Sequence, residues 1–228
     1  MAIRIGMLLF PQLTHLDLTG PYEVLARVPG AELHLVWKSL APVQSGTGLS
    51  LLPTTTLTEA PQFDVLFVPG GQGCVPLLQD REVLEFLRKQ AQGARYVTSV
   101  CTGSLLLGAA GLLEGYRATT HWAYHDLLAR CGALPVEQRV VIDRNRVTGG
   151  GVTAGIDFGL RLAAELADAQ VARAIELGLE YNPEPPFHCG SPALADAALV
   201  ELVRARFDPF RREYAQVLNP RPSARHQS

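Results

Sequence analysis

The sequence predicts an α/β fold: a mostly parallel sheet with helices on both faces, followed by a C-terminal helical extension. Three observations lead there. Short apolar runs at 3–10, 64–68 and 95–100 alternate with longer stretches of helical composition, and strands that alternate with helices build parallel sheets covered on both sides. Two of these runs end in small or turn-forming residues, Pro69-Gly70-Gly71 and Cys101-Thr102-Gly103, where a strand gives way to a helix. The 228 residues are 47% hydrophobic and 18% charged, enough for a substantial core and too little charge for a disordered chain.

The elements follow in order. Residues 3–10 form an apolar run too short for a helix and predict the first strand. Asp17 follows in a short connection, and Thr19-Gly20-Pro21 predicts a helix start, with proline near the first helical position. Residues 32–38 alternate as a second strand. The stretch 42–60, rich in Thr, Gly, Ser and Pro, predicts a loop with short hairpin strands. Residues 64–68 predict a buried strand, 81–92 a helix, and 95–100 a strand with Cys101 at its end. Residues 102–110 have helical composition. The Thr-rich 116–120 reads as extended, and 122–129 as helix. Residues 139–143 and 146–148 predict a hairpin turning at Arg144-Asn145. The glycine triplet 149–151 opens an Ala-rich helix over 153–168, and 169–181 carries another. Four prolines in 182–192 mark a linker or strap, 193–214 a last helix and candidate dimer element, and 219–228 a disordered tail. The expected organisation is an α/β domain over 1–181, with 182–228 as strap, helix and tail.

Composition excludes several functions. A net charge of -2 gives no basic field for nucleic acid or an anionic membrane. No apolar segment approaches the ~18 residues of a membrane span. The apolar run at the N-terminus is too short for a signal peptide. The four cysteines form no C-x-x-C pair. A cytoplasmic protein with reduced thiols is expected.

The most informative segment is Tyr96-Val97-Thr98-Ser99-Val100-Cys101-Thr102-Gly103-Ser104. A buried strand runs into Cys101, small residues follow, and a helix begins: the layout of a nucleophile elbow. Such a turn lifts its side chain above the carboxyl ends of the strands, where open α/β sheets place ligands. The helix N-terminus there favours thiolate and predicts a lowered cysteine pKa. A buried core cysteine is the competing reading. Pro69-Gly70-Gly71 ends another strand at the same edge. Its backbone N–H groups are candidate donors to negative charge on a substrate, or the segment is a plain tight turn. Asp17, between Leu16 and Leu18, belongs to that edge too. A carboxyl in apolar surroundings has a raised pKa and holds a proton it can deliver; the alternative is an ordinary carboxylate at a helix start.

Other signals fall away. His121 and His125 have the i, i+4 spacing of metal sites, but no third ligand is evident, so no metal is expected. His121 and Trp122 remain candidates for lining a substrate pocket. Residues 149–154 fit G-x-G-x-x-A, but helix follows where a dinucleotide fold needs a strand with an acidic end, and a P-loop lysine is missing. No cofactor is expected. Cys74, Cys131 and Cys189 have no elbow context.

Val100-Cys101-Thr102-Gly103-Ser104 and Pro69-Gly70-Gly71 resemble the nucleophile elbow and glycine turn of the ThiJ/PfpI superfamily, related to class I glutamine amidotransferases. The resemblance spans roughly residues 3–180 and implies a flavodoxin-like, typically homodimeric α/β fold. Many members carry His after the nucleophile, where this chain has Thr102, and Glu after the first strand, where it has Asp17. The combination of Asp17, Cys101 and Thr102 resembles the isonitrile hydratase branch, as do the runs 118–126 and 148–157. That resemblance implies attack of Cys101 on a small-molecule isonitrile, with Asp17 and Thr102 catalytic, Gly70, Gly71, His121 and Trp122 around the substrate, and no cofactor. The alternatives it leaves are a superfamily enzyme acting on oxoaldehydes or amides, and a redox- or ligand-sensing domain like those of AraC-type regulators.

Overall fold

The chain begins with β1 (Ile3–Leu8), and the computed structural model describes residues 2–218. Next come α1 (His15–Leu25), β2 (Ala31–Trp37), a small hairpin of β3 (Val43–Gln44) and β4 (Ser50–Leu51), and β5 (Thr55–Thr56). β6 (Val65–Val68), α2 (Cys74–Leu77), α3 (Arg81–Gly93), β7 (Tyr96–Val100) and α4 (Gly103–Ala109) build the centre. β8 (Arg117–Ala118), a 3₁₀ helix (Trp122–Cys131) and β9 (Leu134–Pro135) lead to β10 (Val140–Asp143) and β11 (Arg146–Gly149). α5 (Ala154–Leu166), α6 (Ala169–Gly178) and α7 (Ala197–Val217) complete the chain. The tail expected at 219–228 lies outside the described residues.

Seven strands form one sheet in the order β10-β11-β7-β6-β1-β2-β5. Only the β10–β11 pair is antiparallel. All four residues of β6 are buried, so both of its faces are covered, as a parallel sheet requires. Phe67 faces α5, where its ring meets Phe158 at 5.4 Å. The chain alternates between strand and helix because the apolar period alternates. α3 repeats buried Val83, Leu84, Phe86 and Leu87 at helical spacing, and Asp80 caps it by accepting from the Val83 N–H at 3.2 Å. Arg144 turns the β10–β11 hairpin with φ of 55°.

Three expectations are corrected. α1 begins at His15, not at Thr19-Gly20-Pro21, so Asp17 sits in its first turn rather than in a connection. Pro21 lies inside the helix, where its ring packs against Gly155 of α5; a Cβ on Gly155 would lie 3.0 Å from the proline Cδ. That tertiary contact outweighs the local preference of proline for a helix start. Residues 122–131 form a 3₁₀ rather than an α-helix. The short α2 follows the glycine turn, where no helix was expected. The last helix, expected over 193–214, is α7 (Ala197–Val217); it packs along the 3₁₀ helix and reaches α2.

The strand ends that matter chemically converge because β1, β6 and β7 are adjacent and parallel. Their carboxyl ends deliver Asp17, Gly70 and Cys101 to one edge. Close backbone approach fixes this convergence. A Cβ on Gly103 would lie 2.2 Å from the Val68 carbonyl oxygen and 2.7 Å from that of Pro69. Backbone cannot yield as a side chain can, so Gly103→Ala is expected to cost about 1–3 kcal/mol or more through overpacking. Urea unfolding should show a lower midpoint at unchanged slope; a wild-type midpoint would contradict this packing.

Candidate active site

Cys101 stands at the turn from β7 into α4 with φ of 56°, a left-handed conformation that a non-glycine residue adopts only when its surroundings enforce it. Three hydrogen bonds do so. The Cys101 N–H donates to the carbonyls of Gly149 (3.1 Å) and Gly150 (2.8 Å). The Cys101 carbonyl accepts from Thr120 Oγ1 at 2.6 Å. Behind the turn, Ser99 Oγ and Ser104 Oγ are 2.9 Å apart, and Ser104 Oγ donates to the Thr119 carbonyl at 2.7 Å. The strand-to-helix elbow read from the sequence is therefore a strained turn with its own clamp.

Asp17 is wholly buried. Its Oδ2 accepts from the Gly70 N–H at 2.9 Å. Oδ1 has no partner at the distance and angle of a formed hydrogen bond, yet the Cys101 side chain is near enough to act on the carboxyl. Burial pushes Asp17 from its ordinary 3.8 up to about 7; the Gly70 N–H and the Cys101 side chain restrain the rise. The raised pKa expected from apolar surroundings is met, but of the two flanking leucines only Leu18 is buried and Leu16 is exposed.

The glycine turn has a different part from the one expected. Gly70 N–H is taken by Asp17, and Gly71 N–H donates to Thr102 Oγ1 at 3.0 Å. Neither is open to a substrate anion, so the two glycines position side chains instead of forming an oxyanion hole. The space explains the residue type. A Cβ on Gly70 would lie 2.6 Å from the Thr102 nitrogen and 2.8 Å from Asp17 Oδ2, and Gly71 has φ of 135°.

The thiol also departs from expectation. Burial pushes the Cys101 pKa well above its ordinary value, the Asp17 charge raises it further, and the Thr102 backbone N–H opposes both. Desolvation outweighs the helix N-terminus, so Cys101 rests as a thiol beside a carboxyl that titrates near neutrality. Cys74, the other cysteine nearby, is fully buried; its Sγ lies 3.7 Å from the Pro69 carbonyl, and burial raises it to about 12. It has no elbow, whereas Cys101 keeps 6% of its surface exposed.

His121 and Trp122 line a hollow of about 610 Å³ beside the Cys101 turn. Thr120 and Gly150, both bonded to the Cys101 backbone, line it too. His121 Nδ1 accepts from the Ala123 N–H at 3.2 Å, and burial pushes its pKa down to about 4, so the ring is neutral. The guanidinium of Arg204 lies 5.1 Å from the Trp122 ring. Sequence reasoning missed one residue at the site, Tyr214. Tyr214, on α7, is 1% exposed and donates from Oη to the Gly71 carbonyl at 2.9 Å. No period or motif marked it.

The chain is 61% identical over 209 residues to an isonitrile hydratase of Pseudomonas putida, covering 92% of each protein. It is 35% identical over 182 residues to the helix-turn-helix transcriptional regulator GbdR of Pseudomonas aeruginosa, but that match spans 75% of this chain and only 48% of the regulator. The crystal structure of a ThiJ/PfpI family protein from Pseudomonas syringae superposes with a TM-score of 0.94 at 45% identity, covering 96% of this chain and 91% of that one. The family model of DJ-1/PfpI matches residues 3–165, which hold the sheet, the glycine turn and the elbow. With its buried acid, its strained cysteine and this extent of similarity, the chain belongs to the DJ-1/PfpI family.

Proposed function

We propose that this chain adds water to isonitriles to give N-substituted formamides, with Cys101 as the nucleophile. The observation that carries the reading is the near full-length 61% identity to the Pseudomonas putida isonitrile hydratase; the Asp17–Cys101 pair supports it chemically. The family resemblance supports action as a homodimer in the cytoplasm. Among the described residues, no helix is long and apolar enough to cross a membrane.

The terminal carbon of R–N≡C accepts a nucleophile and then a proton. Asp17, as carboxylate, takes the Sγ proton of Cys101, and the sulfur bonds to that carbon. The same proton passes from Asp17 to the carbon, leaving the thioimidate Cys101–S–CH=N–R and restoring the carboxylate. Water then adds to the carbon while nitrogen gains a proton through Asp17. The C–S bond breaks, the sulfur recovers a proton, and R–NH–CHO departs. One water is consumed and no electrons move to or from the enzyme. The route splits one hard addition into two easier steps. It needs a base whose pKa lies near the working pH, and the buried Asp17 carboxyl, raised to about 7, meets that need. The Thr102 N–H, near enough to the sulfur to favour its ionised form, stabilises the thiolate as it attacks and as it leaves. The hollow bounded by His121 and Trp122 supports a role in holding the R group.

Two outcomes test the proposal. With cyclohexyl isonitrile, wild type should release the formamide and folded Cys101→Ala should release none; Asp17→Asn should lose about tenfold or more, the scale of acid–base contributions. Full activity of Cys101→Ala would overturn the mechanism. The pH dependence has a definite sign. The active form carries one proton on the Asp17–Cys101 pair. Lowering the pH through about 7 adds a second, on Asp17, and kcat/KM should fall. This limb belongs to the pair and should vanish in Asp17→Asn. A wild-type profile flat from about pH 6 to about pH 8, about one pH unit either side of the carboxyl, would remove Asp17 as the base.

A further inference from the structure

The matched family region ends at residue 165. Residues 190–193 and Arg204 of α7 come after it, yet they line the hollow beside the Cys101 turn. They share it with Thr120 and Gly150, both bonded to the Cys101 backbone. Its volume of about 610 Å³ falls among small-molecule pockets, which run from about 300 to 1,000 Å³. That leaves room for a sizeable R group beyond the isonitrile itself.

The charges on the wall are not all answered. α7 turns Arg204 and Phe207, three residues apart and so on one face, toward Trp122. The guanidinium lies 5.1 Å from the indole ring, and the Phe207 ring meets it edge-on at 6.2 Å. Stacking of this kind holds an arginine while leaving its N–H donors free. Among the described residues Arg204, an exposed side chain, has no ion pair and no hydrogen bond. The other arginine on the wall is committed: Arg139 gives Nε and Nη2 to Asp157 Oδ2, each at 2.7 Å. His121 is held neutral by burial. Glu137 is the one acidic side chain on the wall; it is exposed and paired with neither arginine. The N-terminus of α5, which meets the hollow at residues 151–153, tips the balance to positive. The complement of a free guanidinium is a planar anion, and a carboxylate takes two of its N–H bonds at once.

We propose that Arg204 determines specificity: the preferred isonitrile carries a carboxylate on its R group, remote from the reacting carbon, and Arg204 binds it in the hollow. The family core then supplies the chemistry and the extension selects the substrate. The identity of the reacting group rests on the isonitrile reading; the binding of a carboxylate at Arg204 does not.

The experiment compares para-isocyanobenzoate with its methyl ester, in the full-length wild type and in Arg204→Gln, with a thermal melt to confirm folding. Taking the ratio of kcat/KM for acid over ester within each protein removes any general loss of activity. Comparing that ratio between proteins removes the unequal intrinsic reactivity of the two substrates. Expected is a fall in the ratio of about three- to tenfold in Arg204→Gln, the scale of a charge-assisted hydrogen bond at an exposed site. The fall should lie in KM, because the contact is remote from the reacting carbon. Added salt should shrink the wild-type ratio toward that of the variant. Arg204→Glu should lower it further. Calorimetry with the unreactive para-formamidobenzoate should show binding to wild type weakened by a similar factor in Arg204→Gln. An equal ratio in the two proteins, or a fall carried by kcat alone, would overturn the proposal. So would faster turnover of the cationic para-isocyano-trimethylanilinium than of the acid by wild type, which would give the hollow to Glu137. If wild type hydrates no isonitrile, weaker calorimetric binding in Arg204→Gln would support the carboxylate site and reject the isonitrile reading alone. Equal binding, or none, would overturn the Arg204 inference, and formamide release from cyclohexyl isonitrile would then leave the isonitrile reading standing.

Discussion

Burial of the Asp17 carboxyl beside the Cys101 thiol is the constraint on which the rest of the site depends. Each group alone would resist ionisation in that setting, and together they resist double ionisation more strongly, since a second negative charge there would be both desolvated and repelled. The pair therefore works as one acid with a shared proton. Everything around it keeps the two groups close without supplying a strong counter-charge of its own. The Gly70 N–H holds one carboxylate oxygen and leaves the other unbonded. The strained backbone of Cys101 is pinned by Gly149, Gly150 and Thr120. Gly70 lacks a side chain because there is no room for a Cβ between Asp17 and Thr102, and Gly71 because its φ is positive and a Cβ would meet the backbone of residues 12–14.

Much of this was legible in the sequence, for a local reason. Strand periodicity and the small residues after Val100 define the elbow within a window of nine residues, and the same holds for the strand ending at Pro69. The apolar neighbours of Asp17 were enough to indicate the direction of its pKa. What the sequence hid were relations across long separations. The Gly70 N–H meets a carboxylate 53 residues away, and the Gly71 N–H a hydroxyl 31 residues away; a donor looks free in a sequence whenever its acceptor is remote. The acidity of Cys101 was misjudged likewise. A helix N-terminus is a local feature, whereas desolvation is the sum of all the chain packed above it. Pro21 misled because its usual place at the first helical turn gave way to a contact with Gly155.

Tyr214 sits at the far limit of legibility. Its neighbours on α7 are largely exposed, so no amphipathic stripe points to it, and its hydrogen-bond partner is 143 residues earlier. The family core and the extension thus divide the labour. Residues within 3–165 supply Cys101, Asp17 and the glycine turn, and the later helix contributes one phenol that reaches the Gly71 carbonyl beside them.

The outermost strands have a bearing on how copies of this chain can meet. β5 is two residues long and β10 is four. Where β5 stops short of covering β2, Thr54 takes up the Leu35 peptide: its N–H donates to the Leu35 carbonyl at 2.7 Å and its Oγ1 accepts from the Leu35 N–H at 2.9 Å. A strand rim so brief, and partly answered by a threonine, offers little unpaired ladder to template a strand from another molecule. Any assembly of this chain is therefore left to join through helices and loops rather than by prolonging its sheet.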